Sequence, residues 1–232
     1  MQFVVNGDDL GYTKANTLGI IEAFNSGILR STTALMNAAA IRFAEREVRD
    51  LDGLGIGVHL TLTLGSPLTK GKSITSPTEM FFSRKELYER AESLDAEEVK
   101  REFTAQIESF CDVFGRMPTH IDSHHGVHDM SPSILGVTKD LATEYGLEMR
   151  RYGRFSYISG FFGQTATADT LISIMREHLN EDIELMCHPG YCDLELYRRS
   201  TYNLDRVREL DALCDASVLS FVEEHGIELT HY

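Results

Sequence analysis

The chain has few cysteines, few basic residues for its acidic content and no long apolar run. Among its 232 residues, the cysteines are only Cys111, Cys187, Cys192 and Cys214. They show neither CxxC spacing nor the density of a secreted disulfide scaffold. No apolar run approaches the ~20 residues that span a bilayer, and no positively charged leader precedes an apolar region. We therefore expect a cytoplasmic protein with no membrane partner.

The charge balance also restricts the class of partner. Lys and Arg together number 22 against 36 Asp and Glu, which gives a formal net charge of -14. This negative field repels phosphate backbones, so we do not expect nucleic acid as a partner. With 42% hydrophobic and 25% charged residues, the composition is that of a globular protein. The length is sufficient for one domain over residues 1–232 with a substantial core.

Short β-prone runs alternate with helix-like segments along the chain. Strands are predicted over residues 3–5, 32–36, 56–60, 120–122, 147–150, 184–187 and 227–230. Helices are predicted over residues 13–26, 41–49, 169–179, 204–214 and 217–224, with one more ending near Phe114 and one opened by Ser131 and Pro132. This alternation predicts an α/β fold with a mostly parallel sheet. A single-domain, distorted (β/α) barrel of about seven strands is favoured over an open doubly wound sheet, although periodicity alone leaves barrel closure open.

Two connections are longer than simple turns. Residues 61–78 are rich in Gly, Ser, Thr, Pro and Lys, and residues 152–167 carry several aromatic side chains among glycines. Each segment is either a cover over a pocket or an ordinary surface insertion whose aromatic residues fill a local core.

Residues 119–128 hold four imidazoles and a carboxylate, contributed by His120, Asp122, His124, His125 and His128. Neutral imidazole is the commonest protein ligand for divalent metals, and it titrates near physiological pH. Surface histidine runs and expression tags lie at termini or in polar tracts, whereas this cluster lies mid-chain after an apolar strand. The cluster therefore predicts a metal and proton-transfer site.

Other predicted strand ends also carry reactive groups, namely Asp8 and Asp9, His59, and His188. Singly, an acidic pair often caps a helix, and a histidine beside valines is often a hydrogen-bonded core residue. Reactive groups of parallel β/α folds, however, collect where strands end. One carboxylate and two imidazoles suit a catalytic metal site, a second carboxylate can accept a proton from water, and a further imidazole can donate to a leaving group. These are the parts of a metal-assisted hydrolase.

Five ordered blocks of sequence resemble the YdjC-like carbohydrate deacetylases, particularly the chitooligosaccharide deacetylases. They are Asn6-Gly7-Asp8-Asp9-Leu10-Gly11, Ser31-Thr32-Thr33-Ala34-Leu35-Met36-Asn37, Gly57-Val58-His59-Leu60-Thr61-Leu62-Thr63, residues 118–128, and Met186-Cys187-His188-Pro189-Gly190. The resemblance extends from Val4 to Tyr232. It implies a (β/α)-barrel-like fold and a divalent cation used to remove N-acetyl groups from small amino sugars. Substrates of that family include diacetylchitobiose and its phosphorylated form, which implies a role in chitin degradation.

Carried over by position, the resemblance makes Asp9, His59 and His124 the metal ligands. It makes Asp8 the general base and His188 the general acid. Magnesium is the first choice of metal from the family, and zinc is the alternative because two nitrogens and one oxygen suit it by ligand softness.

Four further residues have weaker claims to the site: His125, His128, Asp122 and Arg150. His125 would contact substrate or support a ligand. Asp122 would orient an imidazole or cap a backbone amide. Arg150 or Arg151 would pair with Asp8, and at least one of the two is expected to be solvated.

The chain departs from the family pattern at Gly7, where Ala is usual, and at Gly126, where a third consecutive His is frequent. The first change is expected to matter little, and the second puts substrate preference in question. Rival interpretations are a phosphoesterase or another amidohydrolase, in which Lys70 and Lys72 could meet a phosphate, and a non-catalytic sugar- or metal-binding protein. Apolar helix faces are compatible with a homodimer.

Overall fold

Eight strands form one sheet, and every pairing between them is parallel. The computed structural model describes residues 1–232. The strands are β1 (Gln2–Leu10), β2 (Ser31–Ala34), β3 (Gly55–Leu60), β4 (His120–Ser123), β5 (Glu148–Met149), β6 (Ser156–Ile158), β7 (Ile183–Cys187) and β8 (Glu228–Thr230). Seven of them follow the order β5-β4-β3-β2-β1-β7-β6, and β8 pairs with the start of β1. β5 and β6 are the two terminal strands and do not pair with each other, so the curved sheet forms a half-barrel. The predicted distorted barrel of about seven strands is confirmed.

Nine helices surround the sheet. They are α1 (Lys14–Ser26), α2 (Ile41–Val48), α3 (Arg84–Glu89), α4 (Ala96–Phe114), α5 (Pro132–Tyr145), α6 (Ala168–Glu177), α7 (Leu194–Arg199), α8 (Leu204–Leu213) and α9 (Ala216–Glu224). Short 3-10 turns occupy Ala91–Ser93, His124–Asp129 and Gly163–Thr165. None of the helices combines the length and apolar composition needed to cross a bilayer.

The helix boundaries follow from capping residues in the sequence. The Asp95 side chain accepts hydrogen bonds from the backbone N–H groups of Glu97 and Glu98 at the start of α4. That helix ends at Gly115, which adopts a left-handed conformation with φ of 65°. Polar side chains at the first turn and glycine after the last turn satisfy backbone groups that a helix leaves unpaired.

The structure differs from the predicted elements where segments are short. β6 lies inside the connection 152–167, for which no strand was named from the sequence, and neither α3 nor α7 is among the predicted helices. These elements have three or six residues, which is too few for a periodic pattern to emerge. The strand predicted over residues 147–150 is reduced to β5, although the Arg150 N–H still donates to the Ile121 carbonyl of β4 at 2.9 Å.

The core places the reactive groups at one edge of the sheet. Forty-five buried apolar residues form a single cluster, and β2, β3 and β4 are buried along their whole length. Burial on both faces is typical of a parallel sheet covered by helices. Because the strands are parallel, the ends of β1, β3, β4 and β7 meet at the same edge.

Candidate metal and catalytic site

Asp8 and Asp9 are adjacent in β1, yet both line the same cavity. Neighbouring side chains of a regular strand point to opposite faces. Here the register between β1 and β2 shifts after Gly7, and Asp9 has a left-handed φ of 73°. Such a bulge turns a side chain toward the opposite face. The Asn16 side chain donates to the Asp9 carbonyl at 3.0 Å and holds this unusual conformation.

Three potential metal ligands converge at this bulge. Asp9 Oδ1 lies 3.2 Å from His59 Nε2 and 2.8 Å from His124 Nδ1. The ligand atoms of the three residues lie within 4.8 Å of one another. Arg206 occupies the other oxygen of Asp9 with a hydrogen bond of 2.6 Å. Burial disfavours the carboxylate, but the charges of His124 and Arg206 outweigh it and hold the pKa of Asp9 well below its usual value.

The far side of the His59 ring is held by Asp122. His59 Nδ1 lies 2.5 Å from Asp122 Oδ1, and Thr33 Oγ1 donates to Asp122 Oδ2 at 3.0 Å. Burial opposes protonation of this imidazole, but the Asp122 charge and the hydrogen bonds raise the pKa of His59 to about 10. A carboxylate behind a histidine fixes the orientation of its ring, and His59 Nε2 is left directed at Asp9. Of the two roles predicted for Asp122, the structure places it behind the imidazole.

Arg150 joins three buried carboxylates. Its Nη1 and Nη2 atoms donate to Asp8 Oδ2 and Oδ1, each at 2.8 Å. Its Nη1 is also 2.9 Å from Asp122, and its Nε is 2.5 Å from Glu184. Burial opposes the charged guanidinium, but these carboxylates raise its pKa well above the usual value. Arg151, the alternative partner, instead pairs with Asp129 at 3.0 Å and is partly exposed.

His188 follows β7 and faces Asp8 across the site. Its Nε2 lies 3.9 Å from Asp8 Oδ2, and its Nδ1 lies 3.9 Å from Glu209 Oε2. The His188 backbone N–H donates to the same Glu209 oxygen. Burial lowers the pKa of His188 to about 4 and raises the pKa of Glu209 to about 7.

The remaining histidines of the cluster have different positions. His125 and His128 line the cavity, whereas His120 does not. His125 lies with its ring 3.9 Å from that of His124 and its Nδ1 3.0 Å from Thr63 Oγ1. His128 is buried against Ser123, with Nδ1 2.6 Å from the hydroxyl. His120 stacks on Tyr232, with the ring centroids 3.9 Å apart.

The two departures from the family pattern have structural consequences. A Cβ atom at Gly7 would lie 2.6 Å from the Leu29 side chain, so alanine would require that flexible side chain to move. This is a larger adjustment than the sequence suggested. Gly126 has a left-handed φ of 69°, where a residue with a Cβ atom is strained.

The cavity has a volume of about 950 Å³ and includes basic side chains near its rim. Arg84, Arg151 and Arg199 line it, whereas Lys70 and Lys72 do not. The loop that carries these lysines is tied to α4 by Glu98, which accepts from the Lys72 N–H at 3.1 Å. Residues from both long connections form part of the wall, including Thr63, Tyr157 and Phe162.

Several residues of the site were not singled out from the sequence. They are Asn6, Thr33, Glu184, Tyr202, Arg206 and Glu209. The sequence contained two signals that could have identified some of them. Glu184 is a charge inside the apolar strand segment Ile183–Cys187, and Arg206 and Glu209 share a helix face with Leu210 and Leu213, all of which are buried. A charge at a core-facing position is seldom buried unless it is paired.

The donor set fits a divalent cation. Asp9 Oδ1 and the two imidazole nitrogens lie within 4.8 Å of one another, and all three residues line the cavity. One carboxylate and two imidazoles leave coordination positions for water and substrate, which is the arrangement of a catalytic site. Asp8 and His188 lie next to this position as a carboxylate and an imidazole able to exchange protons.

Comparison with known proteins gives full-length matches. The sequence pattern of the YdjC-like protein family matches residues 2–224. The chain is 35% identical to a carbohydrate deacetylase of Clostridium beijerinckii, with 100% of this chain and 99% of the relative covered. It is 36% identical to a chitooligosaccharide deacetylase of Escherichia fergusonii, with 99% and 97% covered.

A solved structure has the same fold over the whole chain. It is a protein of Enterococcus faecalis V583 described as a candidate cellobiose-phosphate cleavage protein. The TM-score is 0.93 at 33% sequence identity, with 100% of this chain and 97% of that chain covered.

Proposed function

This chain belongs to the YdjC-like family and is a carbohydrate deacetylase; we propose that it removes N-acetyl groups from small amino-sugar oligosaccharides and releases acetate. The substrates would be chitooligosaccharides such as diacetylchitobiose, either free or carrying a 6-phosphate. The observation that carries the proposal is the convergence of Asp9, His59 and His124 beside Asp8 and His188 in one cavity.

Asp9, His59 and His124 would hold one divalent cation, with magnesium as the first choice and zinc as the alternative. When bound, such a cation polarises the acetamide carbonyl and stabilises negative charge that develops on its oxygen. Arg206 and Asp122 support this role because they fix the second oxygen of Asp9 and the far nitrogen of His59.

Asp8 would act as general base. Arg150 holds both oxygens of Asp8 and so fixes the direction from which the carboxylate accepts a proton from the attacking water. His188 would act as general acid and protonate the departing sugar amine, since an unprotonated amine is a poor leaving group. The His188 Nε2 and Asp8 Oδ2 atoms are 3.9 Å apart, so both groups can reach atoms of one scissile amide.

A phosphorylated sugar is supported by the cavity charge. The chain as a whole carries -14, yet Arg84, Arg151 and Arg199 line this cavity. Guanidinium groups bind phosphate through paired N–H donors. Exposed aromatic surface at Phe162, 49% accessible, offers a face against which a pyranose ring can pack.

The test is acetate release from diacetylchitobiose and its 6-phosphate, with phosphate release followed in parallel. We expect Asp8→Asn to lower kcat about 10²- to 10⁴-fold, the usual worth of a general base, while metal-induced stabilisation is retained. Asp129→Asn is the matched control on unphosphorylated diacetylchitobiose, because Asp129 lines the same cavity and its partner Arg151 is assigned only to the phosphate.

Near-normal turnover by Asp8→Asn would remove Asp8 from the role of base. Phosphate release without acetate would identify a phosphoesterase. Metal and sugar binding without any turnover would favour the non-catalytic alternative.

A further inference from the structure

We propose that Glu209 is a positioning residue for His188. Its carboxylate holds Nδ1 of the His188 ring on its own side, so that the proton to be transferred lies on Nε2, the nitrogen that faces Asp8. The inference rests on the proposed deacetylation and deepens it, because Glu209 would act through His188 and not on the substrate.

The geometry places Glu209 directly behind His188. Glu209 is buried in α8, and its Oε2 accepts a hydrogen bond from the His188 backbone N–H. The same oxygen lies 3.9 Å from His188 Nδ1, a buried nitrogen with no hydrogen-bond partner. The opposite ring nitrogen lies 3.9 Å from Asp8. The imidazole therefore lies between two carboxylates, only one of which faces the cavity.

The Glu209 carboxylate is itself held in place. Its Oε1 accepts a hydrogen bond from the Tyr202 hydroxyl, and that hydroxyl accepts one from the Gly163 N–H at 2.5 Å. The Tyr202 ring stacks on Phe162 with centroids 4.3 Å apart. Both oxygens of Glu209 are thus engaged, which restricts rotation of the carboxylate away from His188.

A carboxylate is needed at this position because His188 is buried. Burial favours neutral imidazole and outweighs the charge of Asp8, so the pKa of His188 falls to about 4, and burial also raises the pKa of Glu209 to about 7. An imidazolium and a carboxylate side by side stabilise each other where either charge alone is disfavoured.

The other charged or titratable groups facing this pair come from several elements. They are Asp8 and Asp9 of β1, His59 of β3, Cys187 of β7, Tyr202, and Arg206 of α8. Asp8 and Asp9 favour the imidazolium, whereas Arg206 and His59 oppose it.

The proton transfer needs no group beyond His188, Glu209 and the substrate. The imidazolium gives its Nε2 proton to the amine nitrogen as the C–N bond breaks, and the electron pair of that bond stays on the nitrogen. The neutral imidazole retains its Nδ1 proton on the side of Glu209. Without the carboxylate, nothing at Nδ1 favours this tautomer.

The experiment compares Glu209→Gln with Glu102→Gln. Glu102 is also buried and accepts hydrogen bonds from the backbone N–H groups of Leu68 and Thr69 at 3.0 and 2.8 Å, but it lies outside the cavity. Both substitutions therefore remove a buried carboxylate that holds main-chain amides.

The first readout is an NMR titration of metal-free protein, assigned with His188→Gln, in which the tautomer of the neutral His188 ring is read above the pKa of Glu209. We expect the Nδ1–H tautomer to prevail in the unmodified protein and in Glu102→Gln, and to lose that preference in Glu209→Gln, where an uncharged amide replaces the carboxylate behind Nδ1. The same tautomer preference in Glu209→Gln as in the unmodified protein would overturn the proposal.

The second readout is the dependence on leaving group. On diacetylchitobiose, Glu209→Gln should lose about 10- to 100-fold in kcat, with KM changed less than about twofold. On 4-nitrophenyl acetate the loss should be smaller, because a phenolate leaves without a proton. An equal loss on both substrates would assign Glu209 a merely structural role. If the unmodified protein releases no acetate, the deacetylase proposal fails, and the NMR titration still decides the role of Glu209.

Discussion

Replacing Arg150 with methionine gives the sharpest test of how the site is held together. The guanidinium lies 2.8 Å from Asp8, 2.9 Å from Asp122 and 2.5 Å from Glu184. Methionine has a similar length but no charge, so three buried carboxylates lose their shared cation. Breaking a buried ion pair by removing one partner costs about 3–5 kcal/mol.

Protonation of the unpaired carboxylates sets an upper limit on this loss of stability. A carboxyl group with a pKa of about 3.9 can be protonated at pH 7 for about 4 kcal/mol, so no single carboxylate can contribute more than that. Because three carboxylates are affected, we expect Arg150→Met to lower the free energy of unfolding by about 4–6 kcal/mol at neutral pH.

The loss should depend on pH in a defined direction. Burial disfavours ionised Asp122, but the charge of Arg150 outweighs it and lowers the pKa of Asp122 below its usual value. A carboxyl whose pKa is lower in the folded state adds stability above its unfolded pKa, and this stability is lost as the pH falls. Arg150→Met removes that contribution, so the gap between the two proteins should keep its neutral-pH size down to about pH 4 and narrow as the pH falls further.

Urea unfolding across this pH range measures the gap, and Arg151→Met is the matched control. Arg151 is the next residue, its side chain is 41% exposed, and it pairs with Asp129 at 3.0 Å. Exposed pairs contribute about 0–1 kcal/mol. Equal losses in the two variants, or a gap that widens on acidification, would refute the reasoning.

Two further predictions test the metal ligands and the buried histidine. Asp9→Asn should abolish the gain in stability given by added magnesium or zinc. For the unmodified protein, this gain is about 2.7 kcal/mol at a metal concentration 100 times the Kd. A thermal shift of Asp9→Asn like that of the unmodified protein would contradict the ligand role of Asp9. Burial lowers the pKa of His120 to about 3, so the unfolded chain binds a proton more readily and stability falls as the pH drops from about 6.5 toward 3. In the presence of chelator, the stability deficit of His120→Gln measured by urea unfolding should therefore shrink on acidification, and a constant deficit would exclude this contribution.

The sequence was sufficient to predict which residues meet at the cavity because the fold is parallel. Asp9, His59 and His124 are far apart in the chain, but each follows or ends a strand whose carboxyl end lies at one edge of the sheet. Alternation of strands and helices predicts that edge without knowledge of strand order.

The sequence was not sufficient to predict the residues that form hydrogen bonds and ion pairs with the reactive groups. Arg206 and Glu209 come from α8, where the sequence places them on the same face as Leu210 and Leu213 but does not show that this face packs against the cavity. Glu184 of β7 and Arg150, which follows β5, form an ion pair because the sheet is curved and brings the two strands to the same interior. Such pairings depend on the curvature of the sheet, which periodicity does not encode.

Charge balance at the strand ends explains why the site is suited to a cation. Five buried carboxyl groups surround it, and two buried guanidinium groups accompany them: Asp8, Asp9, Asp122, Glu184 and Glu209, with Arg150 and Arg206. A buried anion without a counter-charge is costly, so negative groups in excess of the arginines need further positive charge, part of which protonated His59 supplies in the metal-free protein. A divalent cation at Asp9 would supply that charge at the position where oxygen and nitrogen ligands converge. The two arginines each engage a carboxylate oxygen, Arg150 on Asp8 and Arg206 on Asp9 Oδ2, and leave Asp9 Oδ1 directed at the imidazoles. The arginines therefore orient the acidic pair for the two tasks proposed above, and the oxygen proposed as metal ligand is the one they leave free.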